Sequence, residues 1–293
     1  MRALVISGGG SKGAFAGGVA QYLIDERKKE YDLFLGTSTG SLMLTHLALG
    51  KTLELQHIYS NVDQDSIFSI CPFNIKKYKG HTLVGINHFN TIRSFIKGSK
   101  TFGESKHLKN LIDKHIKDEY LSAVKESGKK LLITVSNLTL NQVEFKDLAN
   151  HTFDDFRDFM WASSNFVPFM SLLVKDNYEY ADGGFANMVP IREAIRQGAT
   201  EIDAIILETE VTQLNRMPSK NPFSLINNLF NYMQIHIEKH NISIGKLAAE
   251  NRNVQLNLYY TPIVLTTNSL VFQKENMRKW WKSGFDYAHN RLK

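Results

Sequence analysis

The residues able to do chemistry fall in three glycine-bounded clusters: Gly8-Gly9-Gly10-Ser11-Lys12-Gly13, Gly36-Thr37-Ser38-Thr39-Gly40 and Asp182-Gly183-Gly184. Ser38 has the form of a nucleophile. A serine on a strained strand-to-helix turn needs small neighbours to present its hydroxyl, and the N-terminus of the following helix favours negative charge nearby. The same five residues also suit a small-residue corner with no chemistry in it. A serine needs a base, and ten histidines are available. His46 lies too far into the helix expected after Ser38 to reach back. His57, His81, His88, His107 and His115 sit in polar stretches, while His151 and His289 have no orienting feature beside them. His236 and His240 in "HIEKH" miss the zinc metalloprotease pattern, because the glutamate is Glu238 rather than the residue after the first histidine; they read as surface helix residues. The remaining candidate base is Asp182. It follows an apparent strand and precedes two glycines, so its carboxylate can stand at a sheet edge; a plain Asp-Gly turn is the alternative.

The glycines at 8–13 have two functional readings. They fit Gly-x-Gly-x-x-Gly between a strand and a helix, which suggests a dinucleotide site and an oxidoreductase. That fold needs an acidic residue at the end of the second strand, where "YDLFLG" instead ends in Gly36. A Walker phosphate loop is absent around Lys12. The other reading is a run of backbone N–H groups at a helix N-terminus, able to hold the charge of a tetrahedral oxyanion. A turn that merely lets a helix approach a sheet is the structural alternative.

The elements that must position these clusters follow from periodicity. "RALVIS" (2–7) and "YDLFLG" (31–36) are short apolar runs ended by glycine, each followed by a helical pattern, "AFAGGVAQYLIDERKK" and "SLMLTHLALG". This is the signature of parallel βα units, whose strands are covered on both faces. Further strands are expected in "KKLLITVSNLTL" and "QVEFKDLA", antiparallel to each other, and in "MSLLVKDNYEYADGG", "EIDAIILET" and "VQLNLYYTPIVL". "TFDDFRDFMWASSN" reads as a helix capped by Thr152, with Asp154 and Asp155 in its first turn. The stretch 221–251 reads as a long amphipathic helix and 275–293 as a terminal one.

The 293 residues, 43% hydrophobic, suffice for a large core. The expected organisation is a core over 1–210 and a more helical portion over 211–293 packed on the same domain. A formal charge of +6 favours anionic partners without requiring nucleic acid, and none is expected. Cys71 stands alone, which excludes an intramolecular disulfide and suits a reducing, cytoplasmic setting. The first apolar run is too short for a signal-peptide core, and no stretch approaches the roughly 20 apolar residues of a membrane span.

Taken in order, the three clusters resemble the patatin-like phospholipases over about residues 1–210, and "WASSNFVPF" is similar to that family's small-residue segment ending near a proline. The resemblance implies a three-layer α/β/α fold with a mainly parallel central sheet. It also implies a lipid acyl hydrolase that uses a serine-aspartate dyad without histidine, metal or cofactor. Carried over by position, it makes Ser38 the nucleophile and Asp182 the base. It assigns the oxyanion hole to N–H groups of Gly8, Gly9, Gly10 and Gly13, chiefly Gly9 and Gly10. Lys12 matches the family's Arg or Lys, and Gly36, Gly40, Gly183 and Gly184 support the motifs. Substrates would be phospholipid, lysophospholipid or another acyl ester. An inactive scaffold of the same fold is the competing expectation. An aspartate near its usual pKa of ~3.9 is a poor base for a hydroxyl, but burial would raise that value.

Two segments could meet an anionic membrane surface. The first is 71–101, with Lys76, Lys77, Lys79, Arg93, Lys97 and Lys100, no acid, and Phe73, Tyr78, Phe89 and Phe95 interleaved; it reads as a lid or surface insert. The second is the terminal helix with Trp280, Trp281, Arg278, Lys279 and Lys282, where packing of the tryptophans on the core is the favoured alternative.

Overall fold

The computed structural model describes residues 1–78, 81–211, 219 and 222–293. The two glycine-ended apolar runs form β1 (Arg2–Ile6) and β2 (Leu33–Thr37), with α1 (Gly13–Gln21) between them. The helix expected after β1 continues as one wide π turn, Tyr22–Glu26. After β2 the chain makes a 3-10 turn, Ser38–Met43, before α2 (Leu44–Ala48). Next come α3 (Thr52–Asn61), α4 (Gln64–Ile67), the hairpin β3 (Phe73–Tyr78) and β4 (His81–Ile86), α5 (His88–Ile96), α6 (Lys106–His115) and α7 (Asp118–Glu126). The second half holds β5 (Lys130–Asn137), β6 (Gln142–Asp147), α8 (Phe153–Ser163), β7 (Leu173–Lys175), β8 (Tyr178–Asp182), α9 (Ile191–Arg196) and β9 (Glu201–Ile206). It closes with α10 (Pro222–Asn251), β10 (Gln255–Tyr260) and α11 (Lys274–Arg291). Thr152 caps α8 as expected, its hydroxyl oxygen accepting from the Asp155 N–H at 3.1 Å.

Strands β10, β9, β1, β2 and β5 run parallel to one another, and β6, β8 and β7 add the antiparallel part of an eight-stranded sheet. Side chains alternate across it. Leu4, Ile6 and Phe34 join α1, α8 and α11 in one core, while Ala3, Val5, Leu33 and Leu35 join α9 and α10 in the other. The result is a three-layer α/β/α architecture, and it explains why β1 and β2 read as unbroken apolar runs: both faces are covered.

The register around β5 positions everything that follows. Leu132 to Thr134 pair with both β2 and β6, and Val135 to Asn137 pair with both β6 and β8. Strand β6 therefore occupies one edge of β5, while β2 and β8 share the other edge end to end. Thr37 of β2 pairs with Thr134, and Asp182 of β8 pairs with the next residue, Val135. The ends of β2 and β8 thus meet head to head.

The C-terminal third is built into this core. Strand β10 extends the sheet along the full length of β9. Helix α11 lies against α1 so closely that a Cβ on Gly18 would sit 2.0 Å from the Trp281 carbonyl oxygen, and one on Gly284 2.1 Å from that of Phe15. Trp280 and Trp281 are buried, and the Trp281 indole N–H donates to Gln21 Oε1 at 2.7 Å. The tryptophans therefore face the core and not a lipid surface, because the glycine face of α1 leaves a slot that only a large ring fills. Among the described residues no helix is long and apolar enough to cross a membrane.

Candidate active site

Ser38 stands at the sharp turn where β2 ends, with φ at +54°. A non-glycine residue holds that left-handed conformation only when its surroundings impose it. Here the Ser38 N–H donates to Ser163 Oγ at 2.9 Å, and the Ser41 hydroxyl donates to the Ser38 carbonyl at 2.6 Å. The flanking glycines let backbone pass over backbone. A Cβ on Gly36 would lie 2.5 Å from the Gly40 carbonyl carbon, and one on Gly40 2.4 Å from the Ile6 carbonyl oxygen. The turn is therefore wedged between β1 and its own return, which is why a 3-10 turn replaces the regular helix expected there.

Asp182 ends β8, which brings it opposite that turn. The Ser38 hydroxyl donates to Asp182 Oδ2 at 2.7 Å, and the Gly184 N–H donates to Asp182 Oδ1 at 2.8 Å. Ser38 is 7% exposed and Asp182 4%. Burial pushes the Asp182 carboxyl up to about 7, against the smaller opposing effect of the hydrogen bonds from Ser38 and Gly184. A carboxylate tuned to that range is a competent general base at neutral pH. No histidine hydrogen-bonds to Ser38 among the described residues. His46 is buried elsewhere, edge-on to the Tyr120 ring, and His236 and His240 are exposed on α10.

Gly183 fits against β5 so tightly that a Cβ would lie 2.3 Å from the Thr134 carbonyl oxygen. The end of α8 and the segment after it tie Ser38 and Asp182 together. The Ser163 hydroxyl donates to that same Thr134 carbonyl at 2.7 Å while accepting from Ser38, and the Asn165 carbonyl accepts from the Asp182 N–H at 3.1 Å. Ser163 and Asn165 are supporting residues that motif reading alone did not single out. Their only signal is the small-residue run "WASSN".

The glycine loop lies beside Ser38, since a Cβ on Gly8 would come 3.3 Å from Ser38 Cβ. Its N–H groups are not equivalent. That of Gly8 donates to the Met188 carbonyl at 3.2 Å, and that of Gly13 donates back to Gly10 and Ser11. The N–H groups of Gly9 and Gly10 have no acceptor among the described residues. Gly10 has φ at +55°, and a Cβ there would strike the Ser269 carbonyl oxygen at 2.2 Å, so glycine is required twice over. Lys12 is buried in an ion pair with Glu208.

Ser38, Asp182, Gly9 and Gly10 open on a cavity of about 1090 Å³. One part of its wall is apolar, with Leu42, Ile67, Leu108, Phe166, Met170 and Phe272. Another part is polar, with Glu208, Glu210, Tyr232, Glu238 and Tyr260. Much of the lining comes from α10 and the 264–272 loop, segments outside the three motifs. Within 71–101, Phe73 is buried against Phe68 and Phe169, whereas Phe89, Ile92 and Ile96 of α5 are exposed. Lys79 and the side chains of Lys77, Tyr78 and Phe95 lie outside the described residues.

A family model for patatin-like phospholipase matches residues 4–195. The uncharacterized protein L620 of Acanthamoeba polyphaga mimivirus is 27% identical over 285 residues, covering 78% of this chain and 72% of that protein. The crystal structure of VipD from Legionella pneumophila aligns with 99% of this chain at 12% identity and a TM-score of 0.43. This chain spans 66% of that structure's length.

Proposed function

The chain belongs to the patatin-like phospholipase family, whose members are lipid acyl hydrolases, and from that premise we propose that it cleaves carboxylic esters of lipids through a Ser38–Asp182 dyad. The observation that carries this reading is the 2.7 Å hydrogen bond from the Ser38 hydroxyl to a buried Asp182. Ser38 Oγ attacks the ester carbonyl as Asp182 takes its proton, and the Gly9 and Gly10 N–H groups receive the charge that develops on oxygen. Collapse of the tetrahedral intermediate expels the alcohol, which leaves with the proton from Asp182. Water then attacks the acyl-serine with Asp182 again as base, releasing the fatty acid and restoring Ser38. The apolar wall suits the acyl chain and the polar wall the alcohol part, phospholipid or lysophospholipid headgroups included. No cofactor enters this sequence of steps.

Peripheral contact with an anionic membrane surface is part of the same reading. Its support is the exposed Phe89, Ile92 and Ile96 of α5 beside Arg93 and Lys97. The decisive test is a panel of phospholipids, lysophospholipids and glycerides assayed with wild type, Ser38→Ala and Asp182→Asn. Fatty-acid release by the wild type, cut by at least about 10³-fold in each variant, supports the dyad. Activity retained by Ser38→Ala overturns it. A fluorophosphonate probe separates an enzyme from an inactive scaffold of the same fold, because only the enzyme is labelled at Ser38.

A further inference from the structure

Glu238 on α10 has no role in the chemistry above, yet it is 4% exposed, lines the cavity and makes no hydrogen bond or ion pair among the described residues. A carboxyl left unpaired inside a protein is costly unless something arrives to satisfy it. Its surroundings define what that would be. Glu208 lines the same wall and already holds Lys12, so two acids share one buried base. Burial pushes the Glu238 carboxyl up to about 8, with Glu208 adding to the effect and Lys12 opposing it. Tyr260, also in the wall, is pushed up to about 12 by burial, then by Glu210 and Glu238. Among the described residues the cluster thus holds one base for two acids, and an ionised Glu238 would have no cation of its own. Lys239 and Lys246 of the same wall are exposed, and neither is among the charges that shift Glu238.

The cluster is also held in register with the oxyanion loop. Asn241, one turn beyond Glu238 on α10, accepts the Met188 N–H at 2.7 Å, and the Met188 carbonyl accepts the Gly8 N–H. Lys12 follows the same loop. A ligand whose carbonyl lies at Ser38 can therefore extend one substituent along this wall.

We propose that Glu238 and Glu208 form a binding site for a cationic group on the alcohol part of the substrate, an ammonium or trimethylammonium headgroup, with the Tyr260 ring beside it. This rests on the acyl-hydrolase reading for its place in a reaction, but the site itself does not. A headgroup cation supplies the missing charge, so Glu238 gives up its proton to solvent and pairs with it. An aromatic ring adds attraction for a quaternary ammonium.

Two measurements test the site separately from the reaction. In the first, decyltrimethylammonium and decyl maltoside are titrated calorimetrically into the Ser38→Ala chain below their micelle-forming concentrations. We expect the cation to bind at least about tenfold more tightly, and this preference to vanish in the Ser38→Ala/Glu238→Gln double variant, whose new side chain keeps the shape of the old one. Equal binding of the two amphiphiles, or a preference that survives Glu238→Gln, overturns the inference. In the second, wild type is given decanoylcholine and 3,3-dimethylbutyl decanoate, which differ only in the charge of the alcohol. A kcat/KM ratio of about ten or more, falling toward one in Glu238→Gln, supports the site. Hydrolysis of both esters at equal kcat/KM defeats the cation site and leaves the hydrolase reading standing. A Glu238-dependent preference in binding with neither ester cleaved does the reverse.

Discussion

Under the proposed mechanism, Asp182 is the residue on which both reactivity and stability turn. In the proposed reaction its ionised form is the base, so kcat/KM is expected to rise about tenfold per pH unit below an apparent pKa near 7 and to level off above it. A pH–rate profile with its midpoint near the ordinary carboxylate value would show that Asp182 is not the titrating base. The same shift has a cost in stability. The folded-state value of about 7 stands above the ordinary 3.8, so between these limits the folded chain holds a proton that the unfolded chain releases. The stability associated with this group is full below pH ~4 and is lost as pH rises through 7. Asp182→Asn removes the ionisation while keeping one oxygen that can accept from the Gly184 N–H and an amide N–H that can donate to the Ser38 hydroxyl oxygen. It is expected to stabilise the fold by on the order of 2 kcal/mol at pH 8 and hardly at all at pH 4, read from thermal melts across that range. At this scale the sequence was informative about residue type. The glycine-flanked serine and the aspartate were both visible as candidates, but each had an inert turn as its alternative. Which N–H groups of the glycine loop lack an acceptor among the described residues was not legible from residue types, and only the family resemblance favoured Gly9 and Gly10, because the partners are the backbone carbonyls of Met188, Gly10 and Ser11, and a carbonyl has no residue-type signature.

At the scale of elements, the strands were legible where both faces are covered, since two-sided burial selects continuous apolar runs. The turn after β2 was not. "SLMLTHLALG" has helical periodicity from its first residue, yet the contact of Gly40 with β1 forces the 3-10 turn that holds Ser38 at positive φ. Gly40→Ala places a Cβ 2.4 Å from the Ile6 carbonyl oxygen, and we expect it to destabilise the chain by about 1–3 kcal/mol and to lower kcat more than it raises KM. Unchanged kcat would mean that the turn tolerates a wider opening than its packing implies. The α5 helix poses a different question. Replacing Phe89, Ile92 and Ile96 together with serine should reduce binding to anionic vesicles several-fold in a sedimentation assay. It should leave the circular dichroism spectrum intact, since all three side chains are exposed. Vesicle binding equal to wild type would assign the membrane contact elsewhere or remove it.

For the molecule as a whole, the family match ends at residue 195, but the fold does not. Strand β10 covers the edge of β9, and α11 fills the glycine-lined face of α1 with Trp281. A chain ending at residue 210 would expose both, so we expect it to be aggregated and to show no cooperative melt. A soluble, cooperatively folded 1–210 fragment would instead make the last third a true appendage. The cavity points the same way, because α10 and the 264–272 loop supply much of its lining, Glu238 included.

The sequence by itself determined the local pieces: where strands run, where glycine alone lets backbone cross backbone, and which side chains have the chemistry of nucleophile and base. Those are matters of a few consecutive residues, and short-range sterics and hydrophobic period decide them. The tertiary structure alone decided that Ser38 and Asp182, 144 residues apart, lie within a hydrogen bond. Their meeting depends on β2 and β8 sharing one edge of β5 end to end, and on Ser163 and Asn165 reaching both strand ends. Edge sharing is a property of the assembled sheet, fixed by packing against elements far away in the chain, and no local pattern encodes it.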